Sequence, residues 1–313
     1  MTSTTVSTGT LAFQRAFLLA VIAISVSVRP ALAQEAEEAV FVGYNLKNYL
    51  NMDRRVDGES VKNAPKPERE IAALVTMIQK SKPDVLGLVE IGSMEDVTDL
   101  QTRLKAVGLD LPHKTINRAF DEDRRVAVLS KFPIAATNHQ TSLTYLLDEK
   151  RMLFKRGILD ATVQINKDYQ LRVLGTHLKS KREIQEADQA LMRRNEAHLM
   201  REYVNKILTE SPKANLLLFG DYNDSRNEAP IKALQGKFGS EAYLKDIKLA
   251  DDLGYTWTYC WSYADQYSRF DYIFANKALL PEIDTARSHI VADPVWFTAS
   301  DHRPTVVTVK AKD

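Results

Sequence analysis

One cysteine, Cys260, stands in a chain of 313 residues. A single thiol excludes an intramolecular disulfide, so the core must stabilise the chain in any compartment. Between Trp257 and Trp261 that cysteine reads as packing rather than chemistry. No cluster of cysteines and histidines has the spacing of zinc ligands. An excess of one charge is missing too: 42 Lys and Arg stand against 41 Asp and Glu, a net +1. Net charge alone therefore cannot drive polyanion binding, and any such binding needs a local patch. Internal repeats and low-complexity linkers are absent.

The N-terminus holds the one strongly apolar stretch. Residues 1–33 read as a secretory signal: Arg15 starts it, Ala16 to Val28 form its apolar part, and Ala31 to Ala33 make a small-x-small cleavage site. The stretch is short for a membrane span of about 20 residues, with an uncleaved anchor as the alternative. A secreted or periplasmic protein is expected. Cleavage removes Arg15 and Arg29, leaving 40 basic against 41 acidic residues and a net charge of −1. With 44% apolar residues overall, the chain can bury a large core. No composition shift marks a boundary in 34–313, so one large domain is expected there, with two as the alternative.

What is present is an alternation of short apolar strands and helical stretches. Ala39 to Leu46 and Asp84 to Ile91 read as strands. The second is a continuous apolar run, as in a strand covered on both faces. Pro67 to Ser81 has the signals of a helix: Pro in the first turn, acids early, Lys80 late. Val126 to Ile134 and Gly157 to Ile165 read as strands of one meander, and Tyr169 to Leu178 as another strand. A long helix is expected over 183–209, with Ala190, Ala197, Met200, Val204 and Leu208 on its apolar stripe. Strands follow at Ala214 to Asp221, Arg269 to Asn276 and Thr305 to Ala311. Helices mixed with antiparallel strands predict an α/β sandwich with mixed sheets.

The strand ends carry the chemistry. Successive apolar runs deliver Asn45, Glu90, His177 with Lys179, and Asp221 with Asn223. Asp271 opens one strand, and Asp301 and His302 precede the last. Asp221 alone would be a strand-end turn. Six strands each meeting a metal- or proton-competent group is more than packing requires, and ligand sites gather at strand edges of α/β sheets. Glu90, Asp221 and Asp301 are hard oxygen donors, with Asn45 a neutral oxygen beside them, a set suited to Mg²⁺ or Mn²⁺. A carboxylate such as Asp271 on an imidazole such as His302 orients the ring and favours its charged form. Metal, oriented water and imidazole together suit phosphoester hydrolysis.

The ordered segments KPDVLGLVEI, VLGTHLKSK, LLLFGDYND, SRFDYIF and SDHRP resemble the endonuclease/exonuclease/phosphatase superfamily, the DNase I-like fold, as an exported member. The resemblance spans essentially all of 34–313. It implies a four-layer α/β sandwich, two packed mixed β-sheets flanked by helices, and cleavage of phosphoesters with a divalent metal. It implies Glu90 as principal metal ligand, with Asn45 and Asp301 near the metal. Asp221 would orient or deprotonate the attacking water, and Asn223 would hold that water or a phosphate oxygen. Asp271 would pair with His302, which contacts the phosphate or acts as base. His177 would stabilise the phosphate or protonate the leaving oxygen. Two departures touch substrate choice: Arg125 stands where relatives often have Gly, and Lys179 and Lys181 where sphingomyelinase-like members have a shorter polar run.

Lys179 and, among the charges of KRMLFKR, Arg156 are the candidates for substrate contact. Asn48 lies past its strand end, and Asp224 belongs to the turn. His113, His139, His198 and His289 show no partner pattern. The aromatic segment Tyr255 to Tyr267 reads as a core-edge cluster, with a platform for bases as the alternative. The expected function is an exported, metal-dependent nuclease of low sequence specificity, acting as a monomer with no stable membrane span. The runner-up is a sphingomyelinase-like or inositol-phosphate-type phosphatase on a lipid or small phosphoester. An inactive binding module is a third reading.

Overall fold

The computed structural model describes residues 36–56 and 58–312. The predicted signal segment lies outside the described residues. Two six-stranded sheets face each other, and each is organised around one parallel pair. In the first sheet the pair is Glu38–Tyr49 with Val85–Ile91. Thr305–Lys310 and Ile283–Ile290 add antiparallel on one side, Arg125–Ser130 and His113–Ile116 on the other. In the second sheet the pair is Gln170–His177 with Asn215–Asp221. Asp271–Ala275 and Lys245–Asp246 flank it on one side, Leu159–Gln164 and Ile134–Thr137 on the other.

A parallel pair needs a crossover, and helices supply both. Glu68–Ser81 joins the first pair and Gln189–Glu210 the second. The side-chain alternation of the strands sorts their apolar residues into layers. Val85 and Val89 face inward, into a cluster shared with Phe41, Leu171, Phe219 and Ile273 between the sheets. Leu86, Leu88 and Ile91 face outward, against Leu74, Ile78 and Leu100 of the outer helices. Leu216 and Leu218 pack outward on Met200 and Val204. The result is the expected four-layer sandwich. Phe219 fills the layer between the sheets: a Cβ at Gly87 on the facing strand, or at Gly175 on the strand paired beside it, would lie 2.5 Å from its ring.

Three expectations change. Val126 to Ile134 is not one meander strand; the chain turns at Lys131–Pro133 and places Arg125–Ser130 and Ile134–Thr137 in different sheets. The long helix begins only at Gln189, because the Asp188 carboxylate accepts hydrogen bonds from the Ala190 and Leu191 amides and caps it there. Ile184 and Glu186 instead line the cleft described below, and Ala190 is exposed rather than on the buried stripe. The helix Met94–Ala106 was not foreseen, although Ser93 and Asp96 form a capping box at its start.

Candidate active site

Because both sheets have a central parallel pair, four strands end on the same rim. Their carboxyl ends carry Asn45, Glu90, His177 and Asp221, and the antiparallel neighbours Asp271–Ala275 and Thr305–Lys310 begin there. Hydrogen bonds across the sheets join what the sequence separates. Asn45 Nδ2 donates to Asp221 Oδ2 at 3.1 Å, and the Asn223 amide donates to Asp221 Oδ1 at 2.9 Å. His177 Nε2 and His302 Nε2 stand 3.6 and 3.7 Å from Asp221 Oδ2. Asp271 Oδ2 lies 2.7 Å from His302 Nδ1. Asp301 Oδ1 is 4.0 Å from His302 Nε2.

Local backbone chemistry aims these groups. Gly220 has φ +156°, and a Cβ there would meet the Thr176 carbonyl at 2.1 Å, so only glycine lets the strand turn Asp221 toward the rim. Glu90 and Asn223 hold φ of 61° and 51°, left-handed conformations that cost roughly 1–3 kcal/mol each and gather at functional sites. The buried Thr258 hydroxyl accepts the Phe270 and Asp271 amides at 3.0 Å each, fixing the start of that strand. Arg303 stacks on Trp257 and pairs with Asp251, anchoring the backbone beside His302.

The electrostatics separate the two histidines. Burial drives the His177 pKa well below the usual value, helped by Arg156, His302 and Arg124, so its ring is neutral. Its Nδ1 has no hydrogen-bond partner among the described residues. Burial also opposes charge on His302, but Asp271 and Asp221 outweigh it and push the pKa up to about 10. Asp221 is pushed up to about 7 by burial, partly offset by His302. One carboxylate that titrates near neutrality thus faces one stable imidazolium, the pattern of a separated acid and base.

Among the described residues no three histidine, cysteine or carboxylate side chains form a closed metal cage. A hard divalent ion that keeps several waters needs only one or two carboxylates. Glu90 fits that demand. Its Oε2 accepts the Asn48 amide at 3.0 Å, while Oε1 accepts no hydrogen bond from the described residues and stands 3.9 Å from His177 Nε2. The Asn48 side-chain oxygen is buried without a partner among the described residues. Asp301 opens onto the same cleft as Glu90.

That cleft measures about 1270 Å³. On one wall Tyr259 stacks against Phe270, centroids 5.1 Å apart, and covers the His302 ring at 4.9 Å. Trp261 extends this wall. The aromatic segment is therefore divided: Trp257 is packed under Arg303, while Tyr259 and Trp261 face the cleft. The cleft is also lined by Arg124, Arg151, Lys155 and Arg182, which sequence reasoning did not single out as site residues. The KRMLFKR charge run was the signal for two of them.

Both predicted substrate residues line the cleft but spend their charge locally. Arg156 Nε is 2.8 Å from Asp121, and Lys179 Nζ donates to the Ser180 and Arg182 carbonyls. Arg125 turns away and donates to the Gly92 carbonyl. Asp224 accepts from Arg193 and pairs with Lys181, so it ties the cleft wall to the helix Gln189–Glu210.

No curated protein sequence matches this chain. Solved structures do. An endonuclease/exonuclease/phosphatase from Bacteroides vulgatus superposes with a TM-score of 0.61 at 14% identity, over 88% of this chain and 99% of that one. The human nocturnin catalytic domain with bound sulfate gives 0.61 at 17%, covering 87% and 94%. A truncated Caenorhabditis elegans TDP2 gives 0.56 at 16%, covering 88% and 98%. At such identities the likeness is one of fold. The family model described as endonuclease/exonuclease/phosphatase matches residues 50–302. The chain therefore belongs to the endonuclease/exonuclease/phosphatase family, and is a hydrolase of phosphoester bonds.

Proposed function

We propose that this protein is an exported, metal-dependent phosphodiesterase that cuts nucleic acid with little sequence preference. The observation that carries the reading is the cleft wall. Lys155 and Arg182 make no ion pair among the described residues, and they stand with Arg124 and Arg151 beside an acidic catalytic floor. Cations that contact phosphates position a substrate without reading its sequence. Tyr259 and Trp261, which line the same cleft, offer a surface on which any base can stack. Export follows from the signal pattern in residues 1–33, and an N-terminus at Gln34 in the mature protein is the check.

In this reading Asp221 takes the proton of the attacking water, since its pKa of about 7 suits a base near neutral pH. Asn45 and the Asn223 amide hold its two oxygens in place. His302, kept charged by Asp271, stabilises the negative charge that grows on the phosphate. Neutral His177 donates a hydrogen bond there rather than a full charge. Glu90, with Asn45 and Asp301 nearby, would hold Mg²⁺ or Mn²⁺. When bound, the ion supplies Lewis-acid stabilisation of phosphate charge.

A second reading rests on one feature. Met152, Ile184 and Met192 line part of the same cleft, and an apolar end beside a phosphate site suits a lipid or other amphiphilic phosphoester. Among the described residues no helix is long and apolar enough to cross a membrane. A panel of plasmid DNA, single-stranded DNA, RNA, sphingomyelin and a phosphomonoester, with Mg²⁺, Mn²⁺ or EDTA, decides. Metal-dependent cutting of nucleic acid is expected. Release from the lipid or monoester alone would replace the first reading with the second.

A further inference from the structure

The strand Glu38–Tyr49 is interrupted after Asn45 by a bulge, a local turn in which two adjacent residues, Lys47 and Asn48, have φ of 51° and 60°. Both lie in the left-handed region, so the turn needs outside support. Two cations provide it. Lys66, only 3% exposed, donates from Nζ to the Lys47 carbonyl at 3.0 Å. Arg54 donates from Nη2 to the Asn48 carbonyl at 2.7 Å.

The Lys47 carbonyl belongs to the same peptide unit as the Asn48 amide, and that amide donates to Glu90 Oε2 at 3.0 Å. One peptide therefore lies between an ammonium and a carboxylate. The cation on its oxygen polarises it and strengthens the hydrogen bond from its N–H. The other oxygen of Glu90 accepts no hydrogen bond from the described residues and stands 3.9 Å from His177 Nε2. Glu70, 2.9 Å from Lys66, holds the ammonium at its post.

We propose that Lys66 is a positioning residue for Glu90: through the Lys47–Asn48 peptide it holds the carboxylate with one oxygen engaged and the other presented to a divalent cation. The inference rests on the reading of Glu90 as the metal ligand. Partners one step behind a ligand typically change metal affinity 10–100-fold. A lysine that merely closed the turn would change stability and leave metal affinity alone.

The test is Mn²⁺ binding to the full chain, measured by calorimetry and by the EPR signal of free Mn²⁺, beside urea unfolding. Lys66→Met is expected to raise the Mn²⁺ Kd roughly tenfold. Lys66→Arg, which keeps charge and donor, is expected to restore most of the affinity, and Glu90→Gln to abolish binding. A folded Lys66→Met, or Lys66→Gln should the first variant fail to fold, that binds Mn²⁺ as tightly as the wild type overturns the role of Lys66 and leaves the metal reading intact. A wild-type chain that binds no Mn²⁺ overturns both. Should neither neutral variant fold, the wild type decides by NMR: the Asn48 amide proton is expected downfield and to move as Mg²⁺ saturates the site, and a resonance that Mg²⁺ leaves unmoved overturns the inference.

Discussion

Asp271→Asn isolates the charge that makes His302 an imidazolium. The substitution keeps shape and a hydrogen-bond acceptor 2.7 Å from Nδ1 but removes the negative charge. Burial opposes the charge, but Asp271 and Asp221 push the ring's pKa from the ordinary 6.5 up to about 10. A rise of that size corresponds to at most about 5 kcal/mol of stability. Because the folded pKa is raised, this stability is complete below the unfolded pKa and is lost as pH rises through about 10. Asp271 shares the effect with Asp221 and Asp301, and the asparagine retains a neutral hydrogen bond. The expected loss at pH 7 is therefore about 2–3 kcal/mol, the scale of a hydrogen bond to a charged group. Urea unfolding in EDTA between pH 6 and pH 11 measures it. The gap between wild type and variant should be widest near pH 6, narrow as pH rises above neutrality and close as pH reaches about 10. A gap that stays constant across that range, or is absent at pH 7, refutes the account of His302 as a buried cation. Hydrolysis should fall as well, by roughly 10²–10³ in kcat, the cost of losing a preorganised electrostatic partner.

Asp221→Ala should lower turnover by at least about 10² while the far-UV spectrum stays native; full activity in that variant would remove Asp221 from the mechanism. Wild-type kcat/KM should rise with pH through about 7 as Asp221 loses its proton, and a flat profile from pH 5 to pH 8 would contradict its role as base. Arg151→Ala with Lys155→Ala should raise KM for DNA and flatten its salt dependence by about one unit of log–log slope per lost phosphate contact; an unchanged slope would free that wall from substrate binding. Gly87→Ala should destabilise by about 1–3 kcal/mol, because its Cβ would press on Phe219 between the sheets, as denaturant melts would report.

Much of this molecule can be read along the chain because its signals are local. A continuous apolar run marks a strand covered on both faces, and Val85–Ile91 and Asn215–Asp221 are such strands. The same runs end in Glu90 and Asp221, so the candidate site was visible as a set of strand ends before any strand was placed. Signals that compete locally were harder to weigh. The residues after Glu183 read as the helix start, and the cap hydrogen bonds of Asp188 place it five residues later. The capping box of Met94–Ala106 was present in the letters and passed unread.

Most elements, their apolar faces and the residue types at each strand end are legible along the chain, because periodicity and turn chemistry act over a few residues. Only the tertiary structure decided which sheet receives Arg125–Ser130 and which Ile134–Thr137. It also decided that Asn45 reaches Asp221 across 176 positions, and that a lysine in an unremarkable loop reaches Glu90 through one peptide. Strand pairing and the meeting of polar loops depend on closing long segments of chain onto one another. No local pattern records where those closures occur, since the same apolar alternation satisfies either sheet until the whole core is packed.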